Sequence, residues 1–238
     1  MELVLDSIKK SFGSKEVLKD ITYTFEEGKI YGLLGRNGAG KTTLFNCLSE
    51  EIAVDSGKAE MISVTGEKQA LNSDQVGYVL STPILPEFLT GYEFVKFFMD
   101  VNEKRPEKEL TADDWMDRVN LDKEDRNRLI KGYSHGMRNK LQMLGCFIAS
   151  PPVILLDEPL TSLDVIVALE IKKMLQQMKH NRILLFSTHI LQLAVDLCDE
   201  IVILHDGRLE RLDHKQLGSR ELEAKVVELL KDDGEAKD

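Results

Sequence analysis

The sequence is poor in cysteine, poor in positive charge and free of long apolar runs. Its three cysteines, Cys47, Cys146 and Cys198, stand far apart in 238 residues. That spacing offers neither a disulfide framework nor the paired ligands of a zinc site. Each falls in a stretch of helical character among apolar neighbours, which predicts buried structural thiols. Lys and Arg number 31 against 41 Asp and Glu, a formal charge of −10 that argues against wholesale binding to a nucleic-acid backbone. No apolar run approaches the roughly 18 residues that cross a bilayer. Met1-Glu2-Leu3-Val4-Leu5-Asp6 is acidic where a secretory leader needs basic residues, so a cytoplasmic chain is expected. Internal repeats and low-complexity segments are also missing. The 42% of hydrophobic residues is ample for a core, and the 30% of charged residues makes a soluble surface. The length suits one large domain, or one core with an elaborated insertion.

The chain is organised around Gly35-Arg36-Asn37-Gly38-Ala39-Gly40-Lys41-Thr42-Thr43, which fits the phosphate-cradling pattern Gly-x-x-x-x-Gly-Lys-[Ser/Thr]. Ile30 to Leu34 before it reads as a buried strand, and Thr42 to Ser49 after it as a helix without Pro or Gly. In that order, glycines let the backbone curl so that N–H groups face anionic oxygens, and the helix adds its positive end. Lys41 would supply charge to the outer phosphates and Thr42 a ligand to Mg²⁺. A nucleoside triphosphate is the expected ligand.

Taken in order, Leu3, Leu5 and Ile8 predict a first strand and Val17 to Phe25 a second. Phe12, in the turn between them, is either an aromatic plate for a base or a local core anchor. Short antiparallel strands are expected between Gly57 and Gly66, then a buried strand from Val76 to Leu80. Thr90-x-x-Glu93 reads as a capping box before an aromatic helix carrying Phe94, Phe97, Phe98 and Val101, closed by Pro106. Thr111-x-x-Asp114 opens another helix through Trp115 and Val119. Ser134 caps a third, with Leu141, Leu144 and Ile148 on one face, and Ser150-Pro151-Pro152 stops it. Val153 to Leu156 is a buried apolar strand ending in the carboxylates Asp157 and Glu158. Ile183 to Phe186 is another all-apolar strand, the two separated by a helix through Ile171, Met174, Leu175 and Met178. A helix through Leu191, Ala194, Val195 and Cys198 follows. Ile201 to Leu212 closes with a hairpin on Asp206-Gly207. Residues 219–238 read as a charged amphipathic helix.

Apolar strands alternating with helices predict an α/β fold with a mostly parallel sheet covered on both faces. An antiparallel β subdomain precedes it, and helices are inserted over 86–149. The expected core is residues 1–85 and 150–218. Ligands of such sheets bind past the carboxyl ends of the strands. Three strand ends carry suitable chemistry: Gly35 onward, Asp157-Glu158, and His189. Asp157 can hold Mg²⁺ and Glu158 can polarise a water, which together point to an ATPase.

With those motifs in place, the sequence resembles the nucleotide-binding subunit of an ATP-binding-cassette (ABC) transporter of the bacterial exporter type, over nearly the whole chain. Gly35 to Thr43 matches the family's Walker A motif and Val153 to Glu158 its Walker B. Tyr133-Ser134-His135-Gly136-Met137 matches the signature, normally Leu-Ser-Gly-Gly-Gln. Ser162-Leu163-Asp164 matches the D-loop and His189 the switch histidine. The resemblance implies a P-loop NTPase core, ATP and Mg²⁺ as ligands, and Phe12 as the adenine-stacking aromatic. It also implies a head-to-tail pair, identical or not, in which Ser134, His135, Gly136 and Met137 of one chain complete the site of the other. Glu158 would be the base and His189 a contact to the γ-phosphate. Integral membrane subunits would dock on Pro83 to Phe98, placing the chain on the inner face of the membrane. The sequence departs from the pattern at Ser81, where the family has a Gln that reaches metal and water. Ser81 is too short for that reach except through a bridging water, which predicts slow turnover.

Other readings are a degenerate cassette beside an active partner, a cassette ATPase of DNA repair or translation, and a GTP-binding switch. Intact Glu158 and His189 weigh against the first. The second usually carries a coiled coil or two cassettes, which are lacking. Asn139-Lys140-Leu141-Gln142 fails the guanine motif at its last position.

Overall fold

The computed structural model describes residues 1–103, 107, 109–160, 165–212 and 226. Pro106, the D-loop match Ser162-Leu163-Asp164 and the tail over 219–238 lie outside the described residues, save for Val226, which is helical and buried.

Ten strands form one sheet in the order β5-β4-β1-β2-β10-β9-β3-β8-β7-β6. They are β1 (Glu2–Phe12), β2 (Lys15–Glu26), β3 (Lys29–Leu34), β4 (Ser56–Ile62), β5 (Lys68–Ala70), β6 (Val76–Val79), β7 (Val153–Asp157), β8 (Ile183–Thr188), β9 (Glu200–His205) and β10 (Arg208–Leu212). One half is parallel, with β3 between β8 and β9, β7 beside β8, and β6 at the edge. The other half is an antiparallel wing of β5, β4, β1 and β2. A single parallel bridge, Arg208 to Asp20, joins them. The second strand of the early hairpin falls beyond Gly66, because Ser63 to Glu67 is the turn. There the Ser63 amide donates to the Glu67 carbonyl at 2.9 Å.

Side chains alternate across a strand, and that period of two sorts the apolar residues between two cores. Tyr31, Leu33, Val153, Leu155, Ile183 and Leu185 pack on the face shared with the wing and with α1 (Lys41–Leu48). Ile30, Ile154, Leu156, Leu184 and Phe186 face the opposite core. That core belongs to α2 (Gly91–Val101), α3 (Ala112–Arg118), α5 (His135–Ala149) and α6 (Val165–Met178), with the short α4 (Lys123–Arg126) between α3 and α5 in the chain. Both faces are covered, which is why these strands read as unbroken apolar runs. Helix α7 (Leu191–Leu197) packs on β3, where Gly32 leaves room for Cys198 and Ala194.

The helix starts follow their sequence signals. The Thr90 hydroxyl accepts from the Glu93 amide at 3.1 Å while the Thr90 amide donates to the Glu93 carboxylate at 2.8 Å. Thr111 and Asp114 make the same reciprocal pair at 3.2 and 2.8 Å. In α5, Leu141, Leu144 and Ile148 are buried as expected. The aromatic stripe of α2 is not all core: Phe94 is buried, but Phe97 and Val101 stand exposed. Val195 of α7 is likewise part-exposed. Each apolar stripe is wider than the face its neighbours cover. Arg126, buried beneath α3, is held by Asp113, Asp117 and the Leu121 carbonyl. At the hairpin, Asp206 (φ +44) and Gly207 (φ +67) both take the left-handed values of a two-residue primed turn.

The edge strand β6 meets α5 through a contact only glycine permits. A Cβ at Gly77 would lie 2.4 Å from the Cys146 sulfur and 2.8 Å from Pro151 Cγ. Gly77→Ala is expected to destabilise the fold by about 1–3 kcal/mol through overpacking. Pairing it with Cys146→Ala should return part of that loss, as measured by urea denaturation.

Candidate active site

The loop after β3 is shaped by two glycines that no other residue replaces at low cost. Gly40, the N-cap of α1, has φ +106, and a Cβ on it would come 2.9 Å from Val17 Cγ1. Gly38 has φ +83. Helix α1 starts with no side-chain cap, whereas α2, α3 and α5 are capped by Thr90, Thr111 and Ser134. Its first-turn amides therefore face the loop unscreened by any side-chain oxygen, and the helix dipole adds positive potential there.

An open cleft of about 430 Å³ lies against that helix start. Among the candidates named above, Phe12, Asn37, Gly38, Gly40, Lys41, Thr42, Thr43, Ser81, Asp157 and Glu158 line it, together with Lys15 and Val17. Phe12 is 51% exposed, so it is no core anchor; its ring forms part of the cleft wall, with the Lys10 ammonium 5.6 Å from the ring centre. Lys41 is buried. Its ammonium donates to the carbonyls of Gly35 at 2.8 Å and Arg36 at 3.1 Å, and lies 3.7 Å from Glu158 Oε1. Burial holds its pKa below the ordinary value, while Glu158 and Asp157 pull the other way. Gly35 thus serves through its carbonyl. Ala39 turns the loop by donating its amide to the Arg36 carbonyl at 3.1 Å.

At the end of β7, Asp157 is 6% exposed, and its two oxygens are taken by different elements. Thr42 Oγ1 donates to Oδ2 at 2.8 Å and Ser187 Oγ donates to Oδ1 at 2.6 Å. Glu158 follows at φ +47, a conformation that costs a non-glycine residue roughly 1–3 kcal/mol. Its amide is fixed by donating to Ser187 Oγ at 3.0 Å. Its carboxylate oxygens both lie 3.1 Å from His189 Nδ1. Lys41, Thr42, Asp157, Glu158 and His189 therefore form one bonded constellation, drawn from three strand ends.

A magnesium ion fits this donor set. Thr42 and Asp157 offer a hydroxyl and a carboxylate side by side, the hard oxygen ligands that Mg²⁺ takes one or two at a time. Among the described residues no group of three or more His, Cys, Asp or Glu could cage a metal. Ser81 also borders the cleft. Ser134 and His135 are exposed and, with Gly136 and Met137, do not line it. They form the capped start of α5, where the Ser134 hydroxyl accepts from the Met137 amide at 3.2 Å.

Ser187 is the participant that sequence reasoning passed over. The available signal was a hydroxyl residue ending an apolar strand, in register with Asp157. Ser187→Ala is expected to cost about 1–3 kcal/mol, because the Glu158 amide and one Asp157 oxygen lose a buried partner. Chemical denaturation of the two proteins measures it.

A family model described as ABC transporter matches residues 18–161, more than half of the chain. An uncharacterised ABC transporter ATP-binding protein of Bacillus subtilis (strain 168), YdbJ, is 30% identical over 231 residues, covering 95% of this chain and 74% of that protein. The bacitracin transport ATP-binding protein BcrA of Enterococcus faecalis is 32% identical over 231 residues, covering 92% of this chain and 72% of BcrA. A solved structure of the ATP-binding subunit of an ABC transporter superposes with a TM-score of 0.78 at 27% identity, covering 96% of this chain and 99% of that one. With its phosphate loop, strand-end carboxylates and fold, this chain belongs to the ABC transporter family as an ATP-binding subunit with a P-loop NTPase fold.

Proposed function

We propose that this chain hydrolyses ATP with Mg²⁺ and powers export of drugs, peptides or antimicrobial compounds through membrane permease subunits. The observation that carries this reading is the bonded set of Lys41, Thr42, Asp157 and Glu158 in one cleft, with His189 joined to it through Glu158. The loop amides from Asn37 to Thr43 and the Lys41 ammonium bind the phosphates. The Phe12 ring stacks on the base. Thr42 and Asp157 hold the metal, which shields phosphate charge and orients the terminal phosphate when bound. Glu158, aimed by His189, accepts a proton from the attacking water. His189 also contacts the γ-phosphate.

The site is completed by a second cassette, identical or related. Ser134 presents its hydroxyl and the start of a 15-residue helix on an exposed surface away from its own chain's cleft. That helix start is a donor for phosphate supplied by a facing chain, and Gly136 allows close approach. Asp164 of the D-loop is assigned to the same interface by motif. The pair closes on nucleotide and opens after hydrolysis. Between Pro83 and Phe98, Ile84 and Phe88 are each 78% exposed and Phe97 is 57% exposed. This apolar surface suits permease docking, which places the chain on the inner face of the membrane. No helix among the described residues is long and apolar enough to cross a membrane. BcrA is named for bacitracin transport, which supports an antimicrobial compound as the transported class.

Ser81 favours a second reading, a slow or degenerate cassette beside an active partner. Three outcomes separate the two. Glu158→Gln is expected to lower turnover by roughly a hundredfold or more and to accumulate a dimer that forms only with ATP, seen by light scattering. Lys41→Ala should abolish that dimer. Ser81→Gln should raise turnover and steepen its Mg²⁺ dependence. A Ser81→Gln enzyme indistinguishable from the wild type would remove the reason for calling this ATPase slow.

A further inference from the structure

We infer that Gln142 is a positioning residue that clamps the Leu80–Ser81 peptide to α5, tying the metal edge of the cleft to the helix that carries Ser134. The inference rests on the ATPase reading and adds a residue to it.

Strand β6 is the last in the sheet, and its ladder to β7 ends at Val79 paired with Leu156. The carbonyl of the next residue, Leu80, is part-buried and needs a donor. The side chain of Gln142 supplies it from 62 positions away, with Nε2 donating to the Leu80 oxygen at 3.0 Å. Gln142 and Cys146 are four residues apart and so share one face of α5. Cys146 fits against Gly77 and Gln142 reaches Leu80, so one helix face grips the edge strand at two points.

The consequence falls on Ser81. Its side chain has one rotatable bond before the hydroxyl, so the backbone fixes where that oxygen sits. A long side chain at this place could find the metal by its own rotamers, whereas a serine cannot. The peptide that the Gln142 amide holds is the one that sets Ser81 in the wall of the cleft that Thr42, Asp157 and Glu158 also line. Ser134 caps the same helix eight residues earlier, about 12 Å along its axis. Docking of Ser134 on a facing nucleotide shifts α5, and the Gln142 bond carries that shift to the metal side of its own chain's site.

Gln142→Met keeps the length and helix preference and removes the donor. Gln142→Glu keeps the shape and sets an anion against the carbonyl. We expect both to lower kcat about three- to tenfold with the KM for ATP unchanged. By calorimetry, the tightening that Mg²⁺ gives to a non-hydrolysable ATP analogue should shrink while metal-free binding stays at the wild-type value. The melting temperature should fall by only about 2–4 °C, as for one lost hydrogen bond. Two results would overturn the inference. One is a folded variant whose kcat and Mg²⁺ effect lie within about twofold of the wild type. The other is a loss of kcat in which metal-free and Mg²⁺-supported binding of the analogue weaken alike, which marks a packing role alone. If the wild-type chain itself shows no Mg²⁺-dependent hydrolysis, the ATPase reading fails first and takes this inference with it.

Discussion

A carboxylate carried out of water has to be met by donors, and Asp157 is met by two that come from opposite directions. Thr42 reaches it from the first turn of α1 and Ser187 from the end of β8. Neither bond forms unless β3, β7 and β8 end at the same level, which their unbroken parallel register secures. The same hydroxyl of Ser187 also takes the Glu158 amide. One buried anion therefore fixes the phosphate loop, the hydroxyl–carboxylate pair proposed for Mg²⁺ and the left-handed turn at Glu158. The sheet pays for this locally at Glu158, and the parallel strands β3, β7 and β8 supply the rigidity.

Much of this was legible because the two periods of the chain are so distinct. Strand residues 153–156 and 183–186 are apolar at every position, and only a sheet covered on both faces tolerates that. The structure then divides them by parity, with Leu155 and Leu185 on the α1 side and Leu156 and Phe186 under the helices. Helix starts were legible for a local reason, since Thr90, Thr111 and Ser134 each bond an amide three residues on. The Asp206-Gly207 turn was legible because few residue pairs accept two left-handed conformations.

What escaped the sequence depended on contacts between distant segments. Ser187 looks like any residue at the end of a strand until β7 is laid beside it. Gln142 looks like a solvated helix position until α5 crosses β6. Phe12 could not be assigned to core or cleft, because its turn says nothing about what stands opposite. Phe97 and Val101 read as core on helical spacing, yet α2 turns them outward. Spacing records which residues share a face, and only the neighbouring element decides whether that face is covered.

The segment before α2 also meets α5, but at its other end. Arg138, in the second turn of α5, pairs with the Glu87 carboxylate at 2.8 Å and donates to the Lys131 carbonyl at 3.2 Å. The Lys131 amide in turn donates to the Glu87 carbonyl at 3.2 Å, and the Ile130 amide to the Leu89 carbonyl at 2.9 Å. Ile84 and Phe88 thus project from a segment stitched to the residues just before Ser134. Further along, Gly145 admits Phe98 of α2, with a built Cβ only 3.1 Å from the ring. A helix gripped at both ends and in its middle moves as a body rather than bending, since close-packed contacts shift together. In the proposed reading, a push at the permease surface and a change at the metal edge therefore act on the same rigid element, and Ser134 rides on it.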